Sequence, residues 1–191
     1  MSDIADQKAR LRPLAFEARA KAHRAAQADP ARMHMAQARL LEFLEPFRGK
    51  TLSGYMPIRS EIDPLPVMAE MAESGFVTVP VIAGAGQALK FRQWLPGCQM
   101  VAGPFGAQVP VRGAWLEPEI VIVPLVAFAP GGARLGYGGG YYDRSLQMLR
   151  ERRKTIAVGF AYQGQQCEKL PTEPTDQPLD ALVTEEGTLR F

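Results

Sequence analysis

The chain has 191 residues, of which 47% are hydrophobic. We therefore expect one compact domain (residues 1–191) with a substantial core rather than a disordered chain. The net charge of +2 is too small to indicate a nucleic-acid partner, and the two cysteines, Cys98 and Cys167, argue against a disulfide scaffold or a structural zinc site. No apolar run approaches the roughly 20 residues of a membrane span, and residues 1–24 lack a signal-peptide core, so a cytoplasmic protein without a membrane partner is expected.

The N-terminal third of the chain is predicted to form two helices. Residues 3–28 are rich in Ala, Arg and Lys and contain no glycine. Asp29 and Pro30 have the pattern of an N-cap followed by a first-turn proline, from which a second helix runs to about Phe47. The chain's two histidines lie in these helices, away from any nucleophile, so triad chemistry is not expected.

Strands and helices then alternate. Strands are predicted at residues 51–55 and 76–80, with a helix opened by Asp63 and Pro64 between them, and this order favours a parallel sheet. Residues 88–94 have the pattern of a hairpin or an edge strand. Residues 95–118 contain four prolines and four glycines and are predicted to form a long surface loop.

The C-terminal half continues the same alternation. An apolar run at residues 119–128 is typical of a buried strand, with residues 119–123 buried on both faces. Further strands are predicted at residues 155–160 and 181–183, and the polar, proline-rich segment 163–180 lies between them. We therefore expect a single-domain α/β fold with a mostly parallel sheet flanked by helices.

A glycine-rich segment, residues 134–144, joins strand to helix and carries most of the functional signal. Such a turn presents backbone N–H groups and a helix N-terminus to a phosphate, while Arg134 is suited to pairing with phosphate oxygens. Asp143 either complements the helix dipole or holds Mg²⁺, and the tyrosines are suited to stacking on a flat heterocycle. The structural alternative is a tight turn whose tyrosines pack in the core.

Other glycine motifs do not have the spacing of nucleotide-binding loops. Gly49-Lys50-Thr51 resembles the end of a P-loop, but Leu44 stands where that loop needs its first glycine. Gly136-Tyr137-Gly138 is followed by Tyr141 where the dinucleotide fingerprint has glycine. Residues 134–144 are therefore the one credible phosphate cradle in the sequence.

The segment 134–144 resembles the signature of the 5-formyltetrahydrofolate cyclo-ligases, also called methenyltetrahydrofolate synthetases. Further stretches resemble motifs of that family in the same order, namely residues 8–12, 55–57, 61–63, 91–94, 103–106 and 171–176. The sequence departs from the family pattern at Val109, Ala129 and Thr175. The resemblance implies a Rossmann-like fold, similar to that of sugar-phosphate isomerases and CoA-transferases.

The resemblance also implies an activity. A member of this family converts 5-formyltetrahydrofolate to 5,10-methenyltetrahydrofolate, with ATP as co-substrate and Mg²⁺ as cofactor, and releases ADP and phosphate. A cytoplasmic monomer is expected, which binds ATP and 5-formyltetrahydrofolate, including polyglutamylated forms. Two alternatives stay open: an ATP-dependent paralogue with another substrate, and a non-catalytic folate- or nucleotide-binding protein.

Individual roles follow from the same resemblance. The implied ATP-binding residues are Lys8, Arg12, Arg134, Leu135, Gly136, Tyr137, Gly138, Gly139, Gly140, Tyr141 and Tyr142. The implied folate-binding residues are Met56, Glu61, Trp94, Gly138, Gly139, Gly140, Tyr141 and Tyr142. Glu61 is suited to the pterin, whose amino and ring N–H groups donate to a carboxylate. The implied catalytic residues are Arg134, Tyr142 and Asp143, and the implied ligands of Mg²⁺ are Asp143 and Asp176.

Overall fold

In a computed structural model, which describes residues 3–191, a central sheet carries helices on both faces. The α-helices of the described residues are α1 (Ile4–Ala28), α2 (Pro30–Leu44), α3 (Leu65–Ala72) and α4 (Tyr141–Arg152). The strands are β1 (Leu52–Ser53), β2 (Val77–Ile82), β3 (Leu89–Gln93), β4 (Met100–Ala102), β5 (Gln108–Pro110), β6 (Ile120–Val123), β7 (Ala127–Phe128), β8 (Arg134–Leu135), β9 (Ile156–Phe160), β10 (Ala181–Val183) and β11 (Thr188–Arg190). None of the helices in residues 3–191 combines the length and apolar character needed to cross a membrane.

Seven strands form the central sheet in the order β11-β10-β9-β6-β1-β2-β3. The five inner strands are parallel, and the two edge strands, β3 and β11, pair antiparallel with their neighbours. The mostly parallel α/β architecture expected from the sequence is confirmed. The chain builds outward from β1 in one direction and from β6 in the other, so the strand order reverses between these two neighbours. Ligands of open parallel sheets bind at such a reversal, beside the carboxyl ends of the strands.

Both faces of the sheet are buried under helices. Within β6, Ile120 and Ile122 pack into the core cluster beneath α2 and α3. Val121 and Val123 point the other way and pack with Leu146 of α4. All four side chains are buried, which is the continuous apolar pattern of a strand covered on both faces.

The helix starts follow the capping residues of the sequence. The Asp29 side chain accepts a hydrogen bond from the Ala31 N–H at 3.3 Å, and Asp63 accepts one from the Leu65 N–H at 2.8 Å. Helix α2 ends at Leu44, three residues earlier than predicted, and a 3-10 turn covers Glu45–Phe47. Pro46 explains the difference, because it has no N–H with which to continue the helical ladder.

The structure corrects two sequence-based predictions in the second half. The predicted surface loop 95–118 contains a hairpin, β4–β5, closed by a bond from the Gly103 N–H to the Ala107 carbonyl at 2.8 Å. The apolar run 119–128 is not one strand, because β6 ends at Val123 and β7 pairs with β8 in a separate two-stranded sheet. The glycines at residues 136–140 therefore follow the short strand β8 rather than a strand of the central sheet.

Candidate active site

A cleft of about 850 Å³ opens where the strand order reverses. Tyr55 and Met56, which follow β1, and Pro124, which follows β6, line it. The volume lies within the roughly 300–1,000 Å³ that is typical of small-molecule sites. Position and size together make this cleft the candidate active site.

The glycine loop, residues 136–140, forms one wall of the cleft between β8 and α4. Gly138 and Gly140 have φ angles of +96° and +63°, in the left-handed region that side chains other than glycine rarely adopt. A Cβ on Gly138 would lie 3.0 Å from the Cζ atom of Arg12. The glycines thus allow both the turn and the close approach of the Arg12 guanidinium.

Helix α1 brings two cations to this wall. Lys8 and Arg12 are four residues apart and therefore share one helix face. The Arg12 Nε donates to the Gly136 carbonyl at 3.0 Å. Lys8 is only 7% exposed, and its Nζ lies 2.6 Å from a carboxylate oxygen of Asp176 and 2.7 Å from one of Glu173. Burial lowers the pKa of Lys8, but hydrogen bonds to these two carboxylates outweigh it and raise the pKa above its usual value, so the ammonium stays charged.

A second ion pair joins the loop to the C-terminal segment. The Arg134 Nη2 donates to Asp143 Oδ1 at 2.7 Å, and the same oxygen accepts from the Gln177 N–H at 3.0 Å. Arg134 also donates to the Gln177 carbonyl. Asp143, in the first turn of α4, is therefore tied to the residue that follows Asp176.

The two predicted ligands of Mg²⁺, Asp143 and Asp176, line the same cleft. No group of three or more His, Cys, Asp or Glu side chains in residues 3–191 forms a ready metal site. The available donors are carboxylate oxygens, which suit Mg²⁺ when substrate phosphates and waters complete the coordination. The residues fit Mg²⁺ that arrives with a nucleotide rather than a resident metal ion held by protein alone.

Glu61 lies at another part of the cleft wall and is 7% exposed. Its Oε2 accepts from the Ile58 N–H at 2.9 Å, and its Oε1 accepts from the Tyr137 hydroxyl at 2.9 Å. Burial raises the pKa of Glu61, while these hydrogen bonds and the nearby Arg19 and Arg59 charges act in the opposite direction. The carboxylate is thus held in one orientation at the cleft.

Aromatic side chains provide the flat surfaces of the cleft. Tyr137, Tyr141 and Tyr142 all line it, and burial raises the pKa of Tyr137 to about 12 and that of Tyr142 further. Tyr137 and Tyr142 therefore keep their protons at neutral pH and can donate hydrogen bonds. Phe105, at the turn of the β4–β5 hairpin, is 72% exposed, and its ring centroid lies 6.5 Å from that of Tyr141. Sequence reasoning missed Phe105 as a cleft residue.

Of the predicted site residues, the structure brings all but one to the cleft. The exception is Trp94, which is 7% exposed and packs in the core beneath α2 and α3. Side chains alternate along β3, so Leu89 faces the cleft and Trp94 faces the opposite side of the sheet. The structure therefore does not bring Trp94 to the cleft, and we leave it out of the proposed folate site.

The three departures from the family pattern differ in their placement. Val109 and Thr175 line the cleft, whereas Ala129 is buried in a small apolar cluster with Leu135. Two cleft cations, Arg59 and Arg144, and the carboxylate Glu173 were not predicted as site residues. Glu173 lies in residues 171–176, which resemble a motif of the family, so this motif could have identified Glu173 as a site residue.

Known proteins resemble this chain in both sequence and fold. Residues 4–185 match the model of the 5-formyltetrahydrofolate cyclo-ligase family. The chain is 36% identical over 151 residues to a 5-formyltetrahydrofolate cyclo-ligase of Haemophilus influenzae, covering 75% of this chain and 80% of that protein. It is 34% identical over 157 residues to the Escherichia coli K12 protein of the same name, covering 78% and 85%. The NMR structure of Aquifex aeolicus 5,10-methenyltetrahydrofolate synthetase superimposes with a TM-score of 0.70 at 32% identity, covering 93% of this chain and 92% of that one.

Proposed function

Because the chain belongs to the 5-formyltetrahydrofolate cyclo-ligase family, we propose that its cleft holds ATP and 5-formyltetrahydrofolate side by side for the family reaction. The activity of this chain is the ATP-dependent conversion of 5-formyltetrahydrofolate to 5,10-methenyltetrahydrofolate. One observation carries the proposed site: a glycine loop with three cations and a buried carboxylate line the same cleft.

The phosphates of ATP are assigned to the glycine loop and to Lys8, Arg12 and Arg134. The support is that all three cations line the cleft, and Arg12 lies against Gly138. Backbone N–H groups at the start of a helix and arginine forks are suited to phosphate oxygens. Each cation is already oriented by a protein acceptor, so little side-chain freedom is lost when phosphate binds.

Asp143 and Asp176 are assigned to Mg²⁺ bound with the ATP phosphates. When bound, the ion would neutralise charge that develops on the transferred phosphoryl group. The support is the oxygen donor set and the tie between Asp143 and the Gln177 backbone, which keeps both carboxylates beside one wall of the cleft.

The folate is assigned to the wall that contains Glu61. Glu61 would accept hydrogen bonds from the pterin amino and ring N–H groups, because both oxygens of an ionised carboxylate are acceptors. Met56, Tyr141, Tyr142 and Phe105 would cover the pterin and aminobenzoyl surfaces, since all of them line the cleft.

The proposed reaction has two steps. In the first, the formyl oxygen attacks the γ-phosphorus, the bond to the ADP oxygen breaks, and the amide becomes an iminium phosphate ester. In the second, N10 attacks the formyl carbon and loses its proton, and the carbon–oxygen bond breaks to release phosphate. Such chemistry needs positioning and charge neutralisation more than a strong base. Arg134 would stabilise the phosphoryl charge, Asp143 would hold Mg²⁺, and the neutral Tyr142 hydroxyl would donate a hydrogen bond.

Turnover of 5-formyltetrahydrofolate with MgATP tests the proposal. The absorbance of methenyltetrahydrofolate should grow with ATP and stay flat without it. Glu61→Gln should raise the KM for the folate by about 10- to 100-fold, the value of a charge-assisted hydrogen bond, and leave the KM for ATP within about twofold. ATP binding without folate turnover would favour a paralogue with another substrate, and folate binding without ADP release would favour a non-catalytic binder.

We expect residues 1–191 to act as one domain, because residues from Lys8 to Asp176 line one cleft, and we propose that the enzyme acts as a monomer. A cytoplasmic location is supported by the use of ATP and by two free thiols, Cys98 and Cys167. Polyglutamylated folates should also be accepted, since Arg59 and Arg144 line the cleft and favour acidic tails.

A further inference from the structure

Arg19 is an arginine that the proposed chemistry does not use. It lies on α1, seven residues after Arg12, and is 1% exposed. By volume it ranks first among the fully buried side chains of the described residues. It is not one of the residues that line the cleft. Burying a guanidinium is costly unless partners satisfy its charge and its donors, so its partners indicate its purpose.

Those partners are the folate wall and the glycine loop. The Arg19 Nη2 donates to the Tyr137 hydroxyl at 2.8 Å, and that hydroxyl donates onward to Glu61 Oε1 at 2.9 Å. The Arg19 Nη1 lies 3.7 Å from the same Glu61 oxygen. The Arg19 Nε donates at 3.2 Å to the hydroxyl of Ser60, the residue that precedes Glu61 in the chain.

Packing holds the guanidinium in this position. Its Cζ lies 5.4 Å from the ring centroid of Phe16 and 5.3 Å from that of Tyr137. Nη1 also donates to the Leu125 carbonyl at 3.4 Å, just beyond β6. One buried side chain therefore connects α1, the Glu61 segment, the glycine loop and the chain just after the inner strand β6.

We propose that Arg19 is a positioning residue that keeps Glu61 an oriented carboxylate for the pterin, an inference that rests on the proposed role of Glu61. Arg19 does not touch the folate. It acts through its charge beside Glu61 and through the Tyr137 hydroxyl, which it orients so that the proton points at the Glu61 oxygen. Without Arg19, Glu61 is a buried carboxylate with its nearest buried countercharge removed.

Of the charged groups around Glu61, the buried Arg19 lowers the pKa of Glu61 most, after the hydrogen bonds from the Ile58 N–H and the Tyr137 hydroxyl. The titratable and charged neighbours are Arg19 from α1, Arg59 from the same segment, Tyr137 from the glycine loop, Tyr142 from α4 and Tyr55 after β1. Solvent screens the charge of the exposed Arg59, and the tyrosines are neutral at physiological pH. Burial already raises the pKa of Glu61 and Arg19 counteracts that rise, so loss of Arg19 should raise the pKa further.

The test compares Arg19→Met with Glu61→Gln and with Arg24→Met, an exposed arginine of the same helix. Steady-state kinetics are measured over a pH series with the 191-residue enzyme. Arg19→Met should raise the KM for 5-formyltetrahydrofolate by about tenfold and leave the KM for ATP within about twofold. The acid limb of kcat/KM for folate should move by about one pH unit toward alkaline pH, and Arg19→Lys, which keeps the charge, should restore the limb. Arg24→Met should match the wild type.

A double variant keeps the test decisive. Arg19→Met alone leaves the Glu61 charge unpaired and can fail to fold, whereas Arg19→Met/Glu61→Gln buries no unpaired charge. Its folate KM should equal that of Glu61→Gln alone, because Arg19 acts through Glu61. A further additive loss in the double variant, or a wild-type KM and pH profile in Arg19→Met, would overturn the inference. A normal folate KM in Glu61→Gln would instead overturn the proposed role of Glu61.

Discussion

At the scale of single residues, the Asp143 carboxylate pairs with Arg134 and is also the proposed ligand of Mg²⁺. We expect Asp143→Ala to abolish ATP-dependent turnover with the fold intact, because the side chain is in the first turn of α4 and only partly buried. Asp143→Asn keeps the shape but not the charge, so the Mg²⁺ concentration for half-maximal activity should rise by about tenfold or more.

The measurement for Asp143 is turnover against Mg²⁺ concentration, with circular dichroism as a check of folding. Glu151→Gln is the matched control, since Glu151 is exposed on the same helix. Normal turnover and an unchanged Mg²⁺ requirement in Asp143→Ala would contradict the metal assignment and leave Asp143 as the partner of Arg134 alone.

At the scale of elements, the turn between β8 and α4 depends on Gly138. Alanine at this position has to adopt a φ near +96° and also meets the Arg12 guanidinium at 3.0 Å. The backbone strain alone costs about 1–2 kcal/mol, and the contact displaces Arg12, which we assign to the ATP phosphates. We expect Gly138→Ala to raise the KM for ATP at least tenfold, measured by steady-state kinetics.

Gly131 offers a matched control for that prediction. Its φ is +77°, but a Cβ there meets no atom within 4 Å. Gly131→Ala should therefore lower the unfolding temperature by a similar strain while keeping a near-normal KM for ATP. Equal KM values in the two variants would show that strain, rather than the contact with Arg12, governs the loss.

The elements also show what the sequence can and cannot predict. Helix starts at Asp29 and Asp63, the buried strand β6 and the glycine loop were predictable, because capping residues, apolar runs and glycines act locally. The β7–β8 hairpin and the face of Trp94 were not, since strand ends and sheet faces depend on distant partners. The same holds for the Lys8–Asp176 pair, whose members are 168 residues apart.

At the scale of the whole molecule, α1 connects the cleft to the rest of the fold. Its side chains reach Asp176 through Lys8, Gly136 through Arg12 and Tyr137 through Arg19. MgATP that binds across these groups should stabilise the entire chain, since it binds the folded state only. At 100 times its Kd the gain is about 2.7 kcal/mol, which corresponds to a rise of about 5–10 °C in Tm for a chain of this size.

Thermal unfolding with and without MgATP measures this effect. Lys8→Met should reduce the rise, because it removes a cation that we assign to the phosphates, whereas Lys21→Met, an exposed position on the same helix, should keep it. An equal rise in Lys8→Met and the wild type would contradict the assignment of Lys8 to phosphate.

The pairing of the cleft cations with carboxylates has a consequence for which anions the enzyme tolerates. Lys8 and Arg134 each have an acidic partner within the protein, so a simple anion must displace a carboxylate before it gains either cation. Inorganic phosphate or sulfate gains little binding free energy by that exchange, because the displaced carboxylates lose their counterions. MgATP brings its own cation. Asp143 and Asp176 can therefore pair with Mg²⁺ when the ATP phosphates take Arg134 and Lys8 from them. We therefore expect the cleft to discriminate against the free phosphate that the reaction releases, so that product inhibition by phosphate is weak.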